Sequence, residues 1–184
     1  MTIREFKKYE PMNDEEVKQA LEAASIQTGF ALSRFGNGFK HIFSTNQFYT
    51  EAPNNQWTNG FWTGELWLAY EYTKDKKFLE AAMAHTESFR QRARNRIGTD
   101  THDLGFLYSP SCVAAYKITG DERAKDTALM AADMLLERFH EKGQFLQAWG
   151  KLNEAGNYRL IIDCLLNLPL LYWASEETGD FKYA

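Results

Sequence analysis

The stretch Leu160-Ile161-Ile162-Asp163-Cys164-Leu165-Leu166-Asn167-Leu168-Pro169-Leu170-Leu171-Tyr172-Trp173-Ala174 is almost wholly apolar and carries one carboxylate near its start. It is too short and too interrupted to span a membrane. Its apolar residues fall on every side of a helical wheel, so the spacing predicts a buried helix rather than a surface one. Asp163 then stands where the helix enters the protein. An acid there is either an N-terminal cap or a carboxyl held in a poorly solvated place, where it can move protons. On this stretch alone the cap is the better reading.

The rest of the chain shifts that balance, because the arrangement recurs. Three short turns, Thr73-Lys74-Asp75, Thr119-Gly120-Asp121 and Thr178-Gly179-Asp180, each follow an apolar run in which Ala69, Ala115 and Ala174 take equivalent places. Twelve positions before Ala69 stands Trp57, twelve before Ala115 stands Asp103, and eleven before Ala174 stands Asp163. A repeated helix hairpin places equivalent positions on one rim of the assembly. One aromatic residue and two carboxylates converging on a rim have the makings of a site.

Between these landmarks the chain reads as alternating inner and outer helices. Asn13 with Glu16 forms a capping box, and Val17, Ala20, Leu21, Ala24, Ala31 and Leu32 carry a first helix toward Gly36. Residues 39–55 are polar and aromatic with Gly38 and Pro53 as punctuation, which predicts a long surface connection. The segment from Trp57 through Trp62 to Trp67 runs into a buried helix. Asp75 caps an amphipathic outer helix bearing Phe78, Leu79, Ala82, Met83, Thr86 and Phe89 on one face. Ser109 and Pro110 read as the N-cap and first turn of the next inner helix. Asp121 opens its outer partner, with Ala124, Ala128, Ala131, Leu135 and Phe139 inward, and residues 147–159 read as a polar hairpin or loop. Asp180 announces another outer helix four residues before the sequence stops, so a chain supplying part of a larger domain is expected.

Composition agrees with a single domain over residues 1–184, with 44% hydrophobic and 15% aromatic content and no low-complexity linker. A net charge of −4 gives no basic surface for nucleic acid. Residues 1–9 lack the apolar core of a signal peptide, so a cytoplasmic location is the expectation. Cys112 and Cys164 lack paired zinc or redox spacing and read as reduced, buried thiols. His41, His85, His102 and His140 form no ligand motif, and no phosphate loop or nucleophile elbow is present. No metal and no cofactor are therefore expected. The bland readings keep weight: Asp103 as a helix cap, and Trp57, Trp62 and Trp67 as core. Against them stands the chemistry of sugars, which stack on indoles while acids handle protons and hydroxyls.

Four motifs sharpen this: Trp57-Thr58-Asn59-Gly60-Phe61-Trp62-Thr63-Gly64, His102-Asp103-Leu104-Gly105-Phe106-Leu107-Tyr108, Gln147-Ala148-Trp149-Gly150 and Ile161-Ile162-Asp163-Cys164-Leu165-Leu166-Asn167. In this order they resemble the unsaturated glucuronyl hydrolases, glycoside hydrolase family eighty-eight. The resemblance implies an all-α fold, an (α/α)6 barrel of repeated helix hairpins of which this chain supplies about the N-terminal half. It implies removal of the unsaturated uronic acid from the non-reducing end of lyase-generated oligosaccharides by hydration of a vinyl ether. Asp163 matches the family's catalytic acid/base, and its apolar neighbours Ile161, Ile162 and Leu165 suit a carboxyl that must start protonated. Asp103 matches the second acid, Trp57 and Trp149 match aromatic residues lining the pocket, and Asn59 and His102 fall among the expected substrate-binding residues. An unsaturated oligosaccharide is the implied partner. Two alternatives are an unsaturated rhamnogalacturonyl hydrolase and a noncatalytic helical-repeat module that binds sugars or protein through the same rim.

Overall fold

The computed structural model describes residues 11–184; residues 1–9, read above for a leader, lie outside the described residues. Helix α1 spans Asp14–Phe35 and opens on the expected capping box, in which Asn13 and Glu16 exchange side-chain hydrogen bonds with each other's backbone N–H. Residues 39–55 do not form an open connection. Strands β1 (Phe39–Thr45) and β2 (Phe48–Ala52) pair antiparallel there, turning on Asn46 and Gln47, both with positive φ. Two consecutive left-handed residues match the twist of a two-residue hairpin. This turn chemistry was concealed by the lack of a Gly at either position.

The inner and outer helices then alternate as the repeat register predicts. Helix α2 (Asn59–Thr73) packs on α3 (Lys76–Arg94), which Asp75 caps through the N–H of Lys77. On α3 the expected stripe is realised: Phe78, Ala82, Thr86 and Phe89 are buried. Trp62 and Trp67 are core residues, while Trp57 is not.

The third helix begins earlier than Ser109. Helix α4 (Leu104–Tyr108) starts directly after Asp103 and continues through a widened π-helical turn at Ser109–Val113 into α5 (Ala114–Thr119). Pro110 therefore lies inside a continuous helical run. Its missing N–H and its clash with the carbonyl one turn back are accommodated by the wider turn. Helix α6 (Glu122–Leu136), capped by Asp121 through the N–H of Arg123, packs on α3, α4 and the π turn. It ends before Phe139, which instead joins His140 in strand β3 (Phe139–His140), paired with β4 (Phe145–Leu146).

The stretch 160–174 is not one buried helix. A 3-10 turn covers Ile162–Leu166, and α7 (Pro169–Thr178) begins at Pro169, whose fixed φ and absent N–H suit a first helical position. Leu170, Leu171, Trp173 and Ala174 are buried, but Leu160, Ile162, Leu165, Leu166 and Tyr172 are exposed. Asp180 caps a final 3-10 turn, Phe181–Tyr183, through Lys182 N–H. Among the described residues no helix is long and apolar enough to cross a membrane.

Two glycines set the spacing of the inner row. A β-carbon on Gly60 would lie 2.1 Å from the carbonyl oxygen of Phe106, and one on Gly105 would lie 2.3 Å from Cα of Asn167. Only glycine permits either approach. The starts of α2 and α4 and the turn before α7 are thereby drawn together at one end.

Candidate functional site

At that end Asp103, His102 and Asp163 meet. His102 Nε2 lies 3.4 Å from Asp103 Oδ1 and 3.6 Å from Asp163 Oδ1, with the imidazole only 1% exposed. Neither acid caps a helix. Asp103 occupies the N-cap position of α4 yet makes no capping bond; it accepts a 2.7 Å hydrogen bond from the Thr101 hydroxyl. Burial pushes its carboxyl above the usual range, against smaller opposing effects of Thr101 and His102. Asp163 sits in the first turn of the 3-10 segment, and its Oδ1 is buried without a hydrogen-bond partner.

Backbone contacts fix the three residues. The Asn167 amide donates to the Asp163 carbonyl at 3.2 Å and accepts from Phe106 N–H at 2.8 Å, tying the Asp163 turn to α4. His102 N–H donates to the carbonyl of Ala148 at 2.7 Å, and Thr101 bridges Trp149. The apolar neighbours expected to enclose Asp163 do not do so. Ile162 is 82% exposed, and Ile161, Ile162 and Leu165 line a separate groove with Tyr172 and Tyr183. Ile162 and Leu165, three residues apart, share the outward face of the 3-10 turn, while Cys164 turns inward and is buried.

Two indoles flank the segment 101–106, Trp57 through Phe106 and Trp149 through Thr101. Trp57 is 45% exposed and packs against Phe106 and Phe61 with ring centres 6.0 and 6.2 Å away; Trp149 is 44% exposed. Both lie along the segment that carries Asp103. Arg159 places its guanidinium 5.3 Å from the Trp149 ring centre. Asn59 differs from the other motif residues. It is 1% exposed, and its Oδ1 accepts from Gln56 N–H at 2.8 Å, so it shapes the loop that carries Trp57 and presents no surface to a ligand.

Two buried arginines, which the sequence reading missed, hold the Trp loops. Arg92 at the end of α3 donates to the Gln56 and Ile97 carbonyls and the Asn54 side chain, at 3.0, 2.9 and 3.1 Å. Arg138 after α6 donates to the Gln147 and Gly150 carbonyls at 2.8 and 2.9 Å. Gln147 adds its own amide bonds to the Trp149 and Gly150 carbonyls. Each arginine stands seventeen residues after the aspartate that caps its helix, Asp75 and Asp121, and that equal offset was the available signal.

Residues 33–184 match the sequence pattern of Glycosyl Hydrolase Family 88. The chain belongs to this family. It is 52% identical over 168 residues to an unsaturated chondroitin disaccharide hydrolase of Streptococcus agalactiae, covering 91% of this chain and 42% of that protein. The crystal structure of an unsaturated glucuronyl hydrolase from Streptococcus agalactiae superposes with a TM-score of 0.93 at 49% identity, covering 97% of this chain and 45% of the other. An Asp-to-Asn mutant of the Streptococcus agalactiae enzyme, complexed with dGlcA-GalNAc6S, superposes with a TM-score of 0.83 at 42% identity over 98% of this chain and 42% of the other. The chain thus spans less than half the length of these family 88 relatives, and its helices form that portion of their α/α barrel. The two short hairpins are additions to an otherwise helical architecture.

Proposed function

We propose that the protein containing this chain is a hydrolase that removes the unsaturated uronic acid from lyase-generated oligosaccharides such as glycosaminoglycan disaccharides. The observation that carries the reading is the pair of carboxyls gathered about His102, at 3.4 and 3.6 Å from its Nε2, beside two half-exposed indoles. It is supported by membership of family 88 and by the likeness to an unsaturated chondroitin disaccharide hydrolase. Inverting glycosidases place their carboxyls roughly 6.5–9.5 Å apart to admit a water between them. Here carboxylate oxygens of Asp103 and Asp163 approach within 4.8 Å, which suits one proton-transfer centre with a supporting charge instead.

Asp163, in protonated form, gives its proton to C4 of the ring double bond, leaving oxocarbenium character at C5. Water adds at C5 and returns a proton to Asp163, so the acid is regenerated. The hemiketal opens to a C5 ketone, and the hemiacetal left at C1 releases the second sugar. Asp103 holds ring hydroxyls and offsets the developing positive charge. Trp57 and Trp149 supply apolar faces for the sugars, His102 positions the two carboxyls, and Asn59 positions the Trp57 loop.

The test is the ultraviolet absorbance of an unsaturated uronyl disaccharide, which disappears as hydration destroys the conjugated double bond. The whole protein is expected to bleach it. Binding without bleaching would return the chain to the class of sugar-binding repeat modules.

A further inference from the structure

The His102, Asp103 and Asp163 cluster has one property that vinyl-ether hydration does not use. Its three donor atoms, one imidazole nitrogen and two carboxylate oxygens, lie within 4.8 Å of one another. The two edges that meet at His102 Nε2 measure 3.4 and 3.6 Å. A tetrahedral zinc ion with bonds of about 2.0–2.2 Å to nitrogen and oxygen separates its ligands by about 3.3–3.6 Å. Both edges at His102 fall at that spacing, and the third, between the two carboxylates, is within 4.8 Å.

The hydrogen-bonding state of these groups is a second and independent observation. His102 is buried, its Nδ1 has no hydrogen-bond partner, and its Nε2 is aimed at the two carboxyls. Asp163 Oδ1 is likewise buried without a hydrogen-bond partner. Asp103, by contrast, is oriented from behind by the Thr101 hydroxyl, as a ligating carboxylate usually is. Unpartnered polar atoms in a poorly solvated place are costly, and a cation at the centre of the cluster would partner Asp163 Oδ1 and be coordinated by Nε2, leaving only Nδ1 unpartnered.

We propose that His102, Asp103 and Asp163 form a transition-metal site of the zinc type, with a fourth position open to water, and that an ion held there competes with the sugar for the same carboxyls. The ion is an inhibitor rather than a resident cofactor. A metal-binding histidine normally donates its second ring N–H to a carboxylate or carbonyl, which strengthens it as a ligand. His102 Nδ1 lacks that support, so occupancy is reversible. Magnesium is disfavoured because it demands octahedral oxygen coordination and keeps its waters. Binding rests on the geometry alone, whereas loss of turnover rests on the hydrolase reading above.

Calorimetric titration of the metal-stripped whole protein with zinc chloride tests the binding. One equivalent is expected to bind and to raise the melting temperature, with no comparable heat from magnesium chloride. Asp163→Asn and His102→Gln should each weaken zinc binding tenfold or more, with folding checked by melting without metal. Cobalt(II) gives a reading that needs no variant, since a four-coordinate site absorbs visible light far more strongly than the hexaaqua ion. Failure of zinc to bind, unchanged affinity in both folded variants, or a cobalt spectrum like that of the free ion would overturn the site.

The kinetic arm separates the two readings. Zinc is expected to raise the apparent KM for an unsaturated disaccharide at least tenfold, reversibly with EDTA. Saturating zinc that leaves turnover untouched would overturn the competition. A protein that binds zinc through His102 and Asp163 but never turns over the disaccharide would leave the site standing and remove the hydrolase reading.

Discussion

Gly105 and Asn167 stand in backbone contact across the site end of the molecule: a β-carbon on Gly105 would lie 2.3 Å from Asn167 Cα and 2.4 Å from its carbonyl oxygen. These residues belong to the two segments that carry the acids, Asp103 two positions before Gly105 and Asp163 four before Asn167. The contact is therefore what sets the distance between the carboxyls. Ala in place of Gly favours an isolated helix by about 1 kcal/mol, but overpacking against backbone costs about 1–3 kcal/mol and the clash here is severe.

Gly105→Ala is accordingly expected to lower the melting temperature and to move the Asp163 turn away from Asp103. Turnover of an unsaturated disaccharide should fall by more than the loss of folded protein accounts for, because about 1 Å of misplacement can cost 10²-fold. Wild-type melting and turnover would show that the inner segments have room to spare.

The repeat register, the outer helices and the gathering of Asp103 with Asp163 were legible in the sequence because they rest on period and on capping chemistry. Asp75, Asp121 and Asp180 each cap where expected. The hairpin of β1 and β2 was not legible, since its turn uses Asn46 and Gln47 in left-handed conformations. Nor was the start of α4, because Pro110 resembles a first-turn proline and only the helix packing permits the π turn around it. Residues 160–174 misled for a different reason. Their apolar character belongs to surfaces that are exposed in this chain, with Ile162, Leu165 and Leu166 outward. Arg92 and Arg138 were not legible either, because their burial depends on carbonyls from distant loops.

Arg138 makes a prediction about Trp149. Its guanidinium satisfies the Gln147 and Gly150 carbonyls on either side of that indole. Arg138→Gln leaves the buried Gln147 carbonyl unpaired, at about 1–3 kcal/mol, while Gly150 keeps its bond from the Gln147 amide, and a shift of about 2–4 °C per kcal/mol is expected in melting for a chain of this size. Arg138→Lys should not rescue it, because an ammonium cannot reproduce the fork. The prediction fails if both variants keep wild-type KM for the disaccharide, since a displaced Trp149 should raise it.

His85 controls acid stability. Its ring is buried, stacked on Phe39 with centres 4.2 Å apart and 3.1 Å from the Thr63 hydroxyl, and burial pushes its pKa down to about 4 from 6.5. The unfolded chain therefore binds the proton first as pH falls, and stability rises with pH through this window. The contribution is complete above pH 6.5 and is lost as pH falls toward 4, to the extent of about 3 kcal/mol at the low end. Melting temperature measured from pH 7 to pH 4.5 should decline, and His85→Gln should flatten the part of the decline that lies between pH 6.5 and 4.5. An unchanged slope in that variant would assign the decline to other groups.

The division of labour between the acids separates a structural from a chemical role most sharply at Asp163. The side chain makes no capping bond, so Asp163→Asn removes no helix cap; asparagine would in any case cap about as well as aspartate. The variant keeps the shape and one carbonyl oxygen, and thermal melting should stay close to wild type. What it removes is the titrating group, and loss of general acid/base catalysis alone typically costs 10²–10⁴-fold. Asp103→Asn should also lower turnover, since a neutral amide stabilises positive charge less well than a carboxylate. It should cost little stability, because the Thr101 hydroxyl can still donate to the amide oxygen and the burial that raises the Asp103 carboxyl pKa penalises only its charged form. Turnover of an unsaturated disaccharide and melting, measured together for both variants of the whole protein, decide the matter. Near-normal turnover by folded Asp163→Asn would take Asp163 out of the proton transfer and leave Asp103, the acid whose pKa burial raises, as the group to carry it.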